Sequence, residues 1–489
     1  MIDKKISRLS KTIIILFLLY PLISIKAQAQ IVLETDFTNP TNVKQEMRYH
    51  LNVFNRITPL NGVKVSKANG NSKICIVRPL GGIASKGKAD ITKDSYKWDA
   101  NSKKFYTDFT LLKKQIDGVF NQGLGIHQIV LDNPSWAFQR NEKGELIGDS
   151  LKISTYGNAE PPRDYKAWGN YLKDVMAFLV ETYGEERMLK TQFDIGREIG
   201  TPTHWSGTKA QFFEFYKVSI TAIREVLPKA KVGTHFLWGS SNKAWGTDFV
   251  KWSKANKVHY DFVGVSFYPF YDKPNRTNFK EVYAKDFAVI KDIPEWDEKA
   301  KLEMHEYALI KSLSKAGNSF VNASKAHQNS FIVGLMKMFY ENNMQNVFQW
   351  GQGTKHELAD KALLEMQGNI YYKSKKKGAE LSKTSYVDAI FSKDVSKRKY
   401  NILAYNYNAN PKAAAAAHLK ISAKVNIPPG TKVKVRSSIY NEKEDPSPWS
   451  KWREITTNGN EKTKSNISFE AELPVFSFLK YEVMLSDSY

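Results

Sequence analysis

Two glutamates stand where a pair of carboxylates could break a glycosidic bond. Glu198 lies near the end of the run FDIGREIG, residues 193–200, and Glu306 near the end of LEMHEYA, residues 302–308. Each follows a short β-prone stretch, and 108 residues separate them. That is about three strand–helix units of roughly 35–40 residues, so in a barrel of parallel strands the two side chains face each other across its C-terminal mouth. One carboxyl group can then protonate the leaving oxygen while the other attacks the anomeric carbon. Glu303, deeper in the same run and of opposite parity, is a rival for the second role. Trp136, Trp205 and Trp238 follow strand-like runs at the same end. Indole faces stack on the C–H faces of sugars, so each is a platform candidate, with core packing as the alternative.

The elements that must position these groups are legible as alternation. Short apolar runs at 74–77, 126–131, 191–195, 231–234, 262–267, 301–304 and 347–350 read as strands. Amphipathic stretches at 165–182, 210–227 and 326–340 read as helices between them, the second opening on a Thr208-x-x-Gln211 capping box. Repeated β-then-α over about 320 residues predicts an α/β fold, a (β/α)8 TIM barrel with long loops. Lysines at 373–377 read as a linker, and the short alternating runs 400–407, 418–425, 431–438, 467–473 and 478–485 predict a C-terminal antiparallel β-sandwich. The expected division is 1–29, 30–372 for the barrel and 373–489 for the sandwich. The strand-like run 31–37 has the option of joining the sandwich instead.

Composition narrows the function. Of 489 residues, 72 are Lys or Arg and 50 Asp or Glu, a net charge of +22. Lys4, Lys5, Arg8 and Lys11 precede an apolar run at 12–25 and then Ala27-Gln28-Ala29, the pattern of a cleaved secretory signal. With no cysteine after the apolar run to take a lipid, the expected location is periplasmic or extracellular. A chain cut after Ala29 loses five basic residues and one acidic one and carries +18. The single cysteine, Cys75, excludes a disulfide scaffold, a Cys-zinc site and an iron–sulfur cluster. His305-Glu306 begins a HExxH pattern that Leu309 breaks, and Gly123-Leu-Gly125 precedes a strand instead of following one. The nine histidines show no metal-ligand spacing. No metal, cofactor, nucleic-acid partner or membrane span of the mature chain is expected. A spread positive charge suits either a solvated surface or a polyanion.

The stretch FDIGREIGTPTHWSGTKAQFFEFYKVSITAIREVLPKAKVG, residues 193–233, resembles the fourth-to-fifth-strand segment of glycoside hydrolase family 39, the β-xylosidases and α-L-iduronidases of clan A. DFVGVSFYP at 261–269, VFQW at 347–350 and LAYNYN at 403–408 resemble that clan's sixth strand, eighth strand and C-terminal sandwich. The resemblance implies a retaining mechanism with Glu198 as acid/base and Glu306 as nucleophile. It further implies Tyr268 bonded to the nucleophile, Trp350 as the floor under the reacting sugar and Arg78 beside the nucleophile. One position departs from the clan's Asn-Glu-Pro, in which the Asn binds the sugar 2-hydroxyl: here Arg197-Glu198-Ile199 stands instead.

A guanidinium fork matches sulfate or carboxylate oxygens, so Arg197 and the net charge point to an anionic, sulfated polysaccharide or its oligosaccharides. The alternative for Arg197 is a pairing with a structural carboxylate. The alternatives for the whole chain are a neutral-substrate β-xylosidase or galactosidase and a catalytically silent glycan-binding barrel.

Overall fold

The structure is a computed structural model. It describes residues 30–46, 49–53, 74–80, 84–85, 88–89, 95–131, 143, 153–154, 157–237, 241–268, 279–307, 310–312, 319–320, 324–344, 346–350, 357–396, 398–427, 431–441, 447–455, 457–461 and 464–486. Two compact units divide the chain, one spanning Glu46–Leu364 and the other joining the residues up to Gln45 to Glu365–Tyr489. The second unit therefore takes in the residues before 46, and its later part begins eight residues before the expected boundary. Among the described residues no helix is long and apolar enough to cross a membrane.

The unit Glu46–Leu364 is a closed barrel of eight parallel strands. Numbering β1 as Ile31–Asp36 of the other unit, the barrel strands are β2 (Tyr49–Val53), β3 (Ile74–Val77), β4 (Gly125–Val130), β5 (Gln192–Asp194), β6 (Lys231–Phe236), β7 (Phe262–Phe267), β8 (Lys301–Tyr307) and β9 (Val347–Trp350). β9 pairs with β2 to close the ring. Seven were expected from their apolar runs. β2, YHLNV, is five residues of mixed polarity with no apolar run to mark it, and only ring closure identifies it.

Helices α1 (Thr110–Phe120), α2 (Tyr165–Tyr183), α3 (Lys209–Val226), α4 (Ser241–Asn256) and α5 (Lys325–Glu341) lie between strands. Their starts have local causes. The Asp164 side chain accepts from the amides of Lys166 and Ala167, Ser324 accepts from His327, and Thr208 with Gln211 closes the expected capping box. Such caps hold orphan amides and contribute about 1 kcal/mol each. α2 meets α3 through Trp168, stacked on Phe215 at 5.0 Å, with its Nε1–H donated to Ser219 at 2.8 Å.

The barrel interior is not wholly apolar. Gln128, Gln192, Asp194, His235, Glu303 and His305 are buried there. Gly264 of β7 makes room for one of them: a Cβ at that position would lie 2.0 Å from Nδ1 and 2.4 Å from Cε1 of His305.

In the other unit β1 is flanked by β10 (Ser374–Lys377), antiparallel, and by β12 (Ala417–Asn426), parallel, with β11 (Lys399–Asn408) in the second sheet. The five- and six-stranded sheets enclose Leu33, Phe391, Ile402, Leu419, Ile421 and Val483. Residues 374–377, expected as linker, are a strand. Their side chains alternate between half-buried and exposed, and Lys377 pairs with Glu34 at 2.7 Å. Lysine on the edge of a sheet keeps the strand soluble without preventing it from pairing. The residues 413–417 close a 3-10 turn, Pro411–Ala413, and lead into β12.

Overfilling the barrel interior should be measurable. Gly264→Ala is expected to cost about 1–3 kcal/mol by overpacking against His305, read as a lower thermal midpoint by circular dichroism. An unchanged midpoint would mean that this layer relaxes freely.

Candidate active site

The site starts from a break in β5. Ile195 donates its amide to Gly233 O at 2.8 Å and Ile199 donates to His235 O at 2.9 Å. Four steps along one chain therefore match two steps along β6, and residues 196–198 are extruded from the ladder. Gly196 has φ +85° and a Cβ there would lie 2.7 Å from Ile199. Glu198 itself sits at φ 46°, a left-handed conformation that an L-residue holds only when its surroundings impose it. β8 has its own irregularity. Val265 pairs with Met304 but Ser266 pairs with Glu306, so the extra residue brings Glu306 level with Ser266.

The two carboxylates meet through one phenol. Tyr268, buried after β7, donates to Glu306 Oε2 and lies 3.5 Å from Glu198 Oε1. With an ordinary O–H···O bond no longer than about 3.0 Å, the nearest carboxylate oxygens are within roughly 6.5 Å of each other. Retaining pairs stand about 5–5.5 Å apart and inverting pairs about 6.5–9.5 Å. Burial and the neighbouring carboxylates hold the Tyr268 hydroxyl well above the ordinary tyrosine range, so it remains a donor.

Arg197 is fully buried. Its Nε donates to Glu306 Oε1 at 2.5 Å, and its Nη2 reaches the same oxygen. The expectation that Arg197 reads an anionic substituent of the substrate is corrected: its guanidinium is spent on Glu306. Arg78, expected beside the nucleophile, follows β3 and is likewise fully buried. Its Nη1 donates to His204 Nδ1 at 3.4 Å. Because guanidinium only donates, His204 must carry its proton on Nε2, which lies 3.4 Å from Glu198 Oε2. Burial and the two arginines press His204 well below the ordinary imidazole range, in keeping with a neutral ring.

Glu198 accepts from Ser266 Oγ at 2.6 Å. Burial, and then the charge of Glu306, push its carboxyl group up to about 8, although Ser266, Arg197 and Arg78 pull the other way. Glu198 is therefore a protonated acid at neutral pH, beside a carboxylate already paired with a guanidinium. That is the asymmetry that acid-plus-nucleophile chemistry requires.

The remaining candidates divide. Trp205 is buried, its ring 5.0 Å from Phe215 and 5.5 Å from Phe212, so its reading as a sugar platform is corrected to core packing. The turn that buries it has both Trp205 and His204 bonded to Thr201 O, which sends the histidine toward Glu198. Trp136 and Trp238 lie outside the described residues, as does the side chain of Trp350 at the end of β9. Glu303 sits in the layer below. It accepts from Gln192 Nε2 at 2.9 Å and lies 3.1 Å from His305 Nε2.

Asp194, His235 and His305 bring donor atoms within 4.8 Å of one another, but His305 is a poor ligand. Asp194 and Glu303 hold it above the ordinary imidazole range against its burial, and an imidazolium has no lone pair to offer. Sequence reasoning passed over His204, Ser266 and His235. The one available signal was histidine recurring in barrel strands, at 127, 235 and 305.

Residues 90–301 match the family described as Glycosyl hydrolases family 39. The chain is 70% identical over 480 residues, 98% of its own length and 99% of the relative's, to the alpha-1,4-L-rhamnosidase of Formosa agariphila. The crystal structure of the GH39 enzyme from Xanthomonas axonopodis pv. citri superposes with a TM-score of 0.59 at 13% identity, covering 95% of this chain and 99% of that one. A monomeric beta-xylosidase from Caulobacter crescentus gives 0.57 at 15%, covering 93% and 99%. At those identities the two structures show a shared fold.

The protonated Glu198 carries a cost in stability with a defined sign. Its folded pKa, about 8, is raised above the unfolded value of about 4.3. Between these pH values the unfolded chain has lost a proton that the folded one keeps, so stability falls as pH rises through this window. Glu198→Gln removes that slope. The variant should gain on the wild type progressively from pH 5 to pH 8, by a few kcal/mol at most since each unit is about 1.4. Thermal midpoints of both proteins across this range test it, and a constant gap would contradict the raised pKa.

Proposed function

The chain belongs to glycosyl hydrolase family 39 and is a glycoside hydrolase, and from that premise we propose that it is a retaining α-L-rhamnosidase. The observation that carries the mechanism is Tyr268 touching both carboxylates, one protonated and one paired with Arg197. The relative that matches nearly the whole chain supplies the sugar and suggests the 1,4-linkage.

In this reading Glu306 Oε attacks the anomeric carbon as the C–O bond to the leaving sugar breaks, and Glu198 gives its proton to the departing oxygen. A covalent rhamnosyl ester of Glu306 results. Glu198, now a carboxylate, takes a proton from the water that attacks the same carbon, and Glu306 leaves with its charge restored. Arg197 and Tyr268 fix the orientation of Glu306 through three N–H and O–H contacts. His204 does the same for Glu198. Trp350 is the proposed floor of the sugar site, with Trp136 and Trp238 as further platforms.

We also propose that the rhamnoside belongs to an anionic polysaccharide or its oligosaccharides, met outside the cytoplasm after removal of residues 1–29. The charge excess supports this through long-range attraction, without a contribution from Arg197. Rates should then fall with ionic strength on charged oligosaccharides and hold steady on a neutral aryl rhamnoside.

Glu306→Gln should abolish turnover of aryl α-L-rhamnosides, with the α-anomer of rhamnose appearing first in wild-type product followed by NMR. Glu198→Gln should lose about 10²–10⁴-fold in kcat/KM on an unactivated rhamnoside, the share a positioned acid supplies, and far less on the 2,4-dinitrophenyl glycoside. The wild-type kcat/KM profile should fall on its basic side near pH 8. A β-anomer first product, or rhamnosides left intact while β-xylosides are cut, would overturn the reading.

A further inference from the structure

Glu198 is held by a chain of hydrogen bonds that neither the catalytic pair nor the sugar explains. Ser266 Oγ donates to Glu198 Oε1 at 2.6 Å, and on its other side lies 2.9 Å from His235 Nε2. Because the serine proton points to the carboxyl group, the serine oxygen must accept from the imidazole, which places the His235 proton on Nε2. Among the described residues the buried Nδ1 of His235 has no hydrogen-bond partner, as suits the bare nitrogen of that tautomer. Ser266 and His235 are both completely buried, and they come from β7 and β6, not from the extruded loop that carries Glu198.

We propose that Ser266 and His235 are positioning residues for the acid/base. The imidazole orients the serine hydroxyl, and the hydroxyl fixes the carboxyl group of Glu198 in the rotamer that reaches the leaving oxygen. The loop alone does not fix that rotamer, since residues 196–198 have left the β ladder and Glu198 stands at φ 46°. The inference rests on Glu198 being the acid/base. The charged and titratable groups facing Glu198 are Glu306 from β8, Arg197 from its own loop, Arg78 after β3, His204 from the turn before α3, and Tyr268 after β7. Ser266, like the neutral His204 ring and the Tyr268 hydroxyl, faces Glu198 as an uncharged donor, so its removal leaves the charges in place.

The test compares Ser266→Ala and His235→Leu with Ser266→Thr and His235→Gln, which keep a donor, and with Glu198→Gln, all in the full chain. The two donor-free variants should lose roughly tenfold in kcat/KM on an unactivated rhamnoside, part of the about 10²–10⁴-fold that a positioned acid supplies. On 2,4-dinitrophenyl α-L-rhamnoside, whose leaving group needs no proton, they should lose less than about threefold, and the donor-keeping variants should recover most of the loss.

The basic limb should move upward in Ser266→Ala, since a donor that favours the carboxylate has gone. Carbon-13 carboxyl NMR of glutamate-labelled protein, assigned with Glu198→Gln, reads the same shift without turnover. Equal losses on both substrates with an unmoved Glu198 titration would reduce the pair to packing and overturn the inference. If Glu198→Gln itself showed no leaving-group dependence, the acid/base assignment would fail, and that outcome is distinct from failure of the serine variants alone.

Discussion

Two carboxyl groups enclosed within reach of one hydroxyl cannot both be ionised without a large electrostatic cost, and the site is organised around that constraint. Arg197 bonds Glu306, so the negative charge rests there. Burial together with that neighbouring charge keeps the proton on Glu198. In the proposed mechanism the roles of acid and nucleophile thus follow from where one guanidinium is aimed. The resemblance to clan A leads one to expect an asparagine aimed at the sugar in this position. Here the side chain turns inward to Glu306, so the pocket holds a second buried guanidinium in addition to that of Arg78.

A pair so placed needs a rigid frame, and the frame is itself polar. Beneath the site His305 stands between Asp194 and Glu303, with Gln192 donating to Glu303 and Gln128 donating to Gln192. Buried ions of this kind contribute little net stability, and losing one partner leaves an uncompensated charge. They lie on strands beside the place where β8 carries its extra residue and brings Glu306 into line with Ser266. Gly264 belongs to the same arrangement, since only a missing Cβ lets the His305 ring lie against β7.

The distribution of charge separates two scales of recognition. The fold is shared with enzymes at 13–15% identity, so it does not by itself specify a sugar. The arginines of the pocket are occupied with carboxylate and imidazole partners. In the proposed reading the net charge of +22 acts at long range, over distances set by salt, and not on the bond being broken.

The sequence by itself determined the architecture and pointed to the two glutamates. Apolar runs at barrel spacing, caps such as Thr208 with Gln211, and short alternating runs after residue 400 are local signals, because strand and helix periodicity is written in neighbouring residues. Glu198 and Glu306 were legible for the same reason, each lying just past or near the end of an apolar run, and Tyr268 through the motif that contains it. What the sequence could not decide is orientation. Whether Arg197 faces sugar or nucleophile, and whether Trp205 lines a cleft or packs on Phe212 and Phe215, depends on the extruded loop at 196–198 and the turn at 201–205. Those follow from pairing with β6, a partner distant in sequence, and from tertiary packing on Phe212 and Phe215 of α3. Ser266 and His235 were overlooked for the same cause: a serine and a histidine on different strands meet only when β6 pairs with β7.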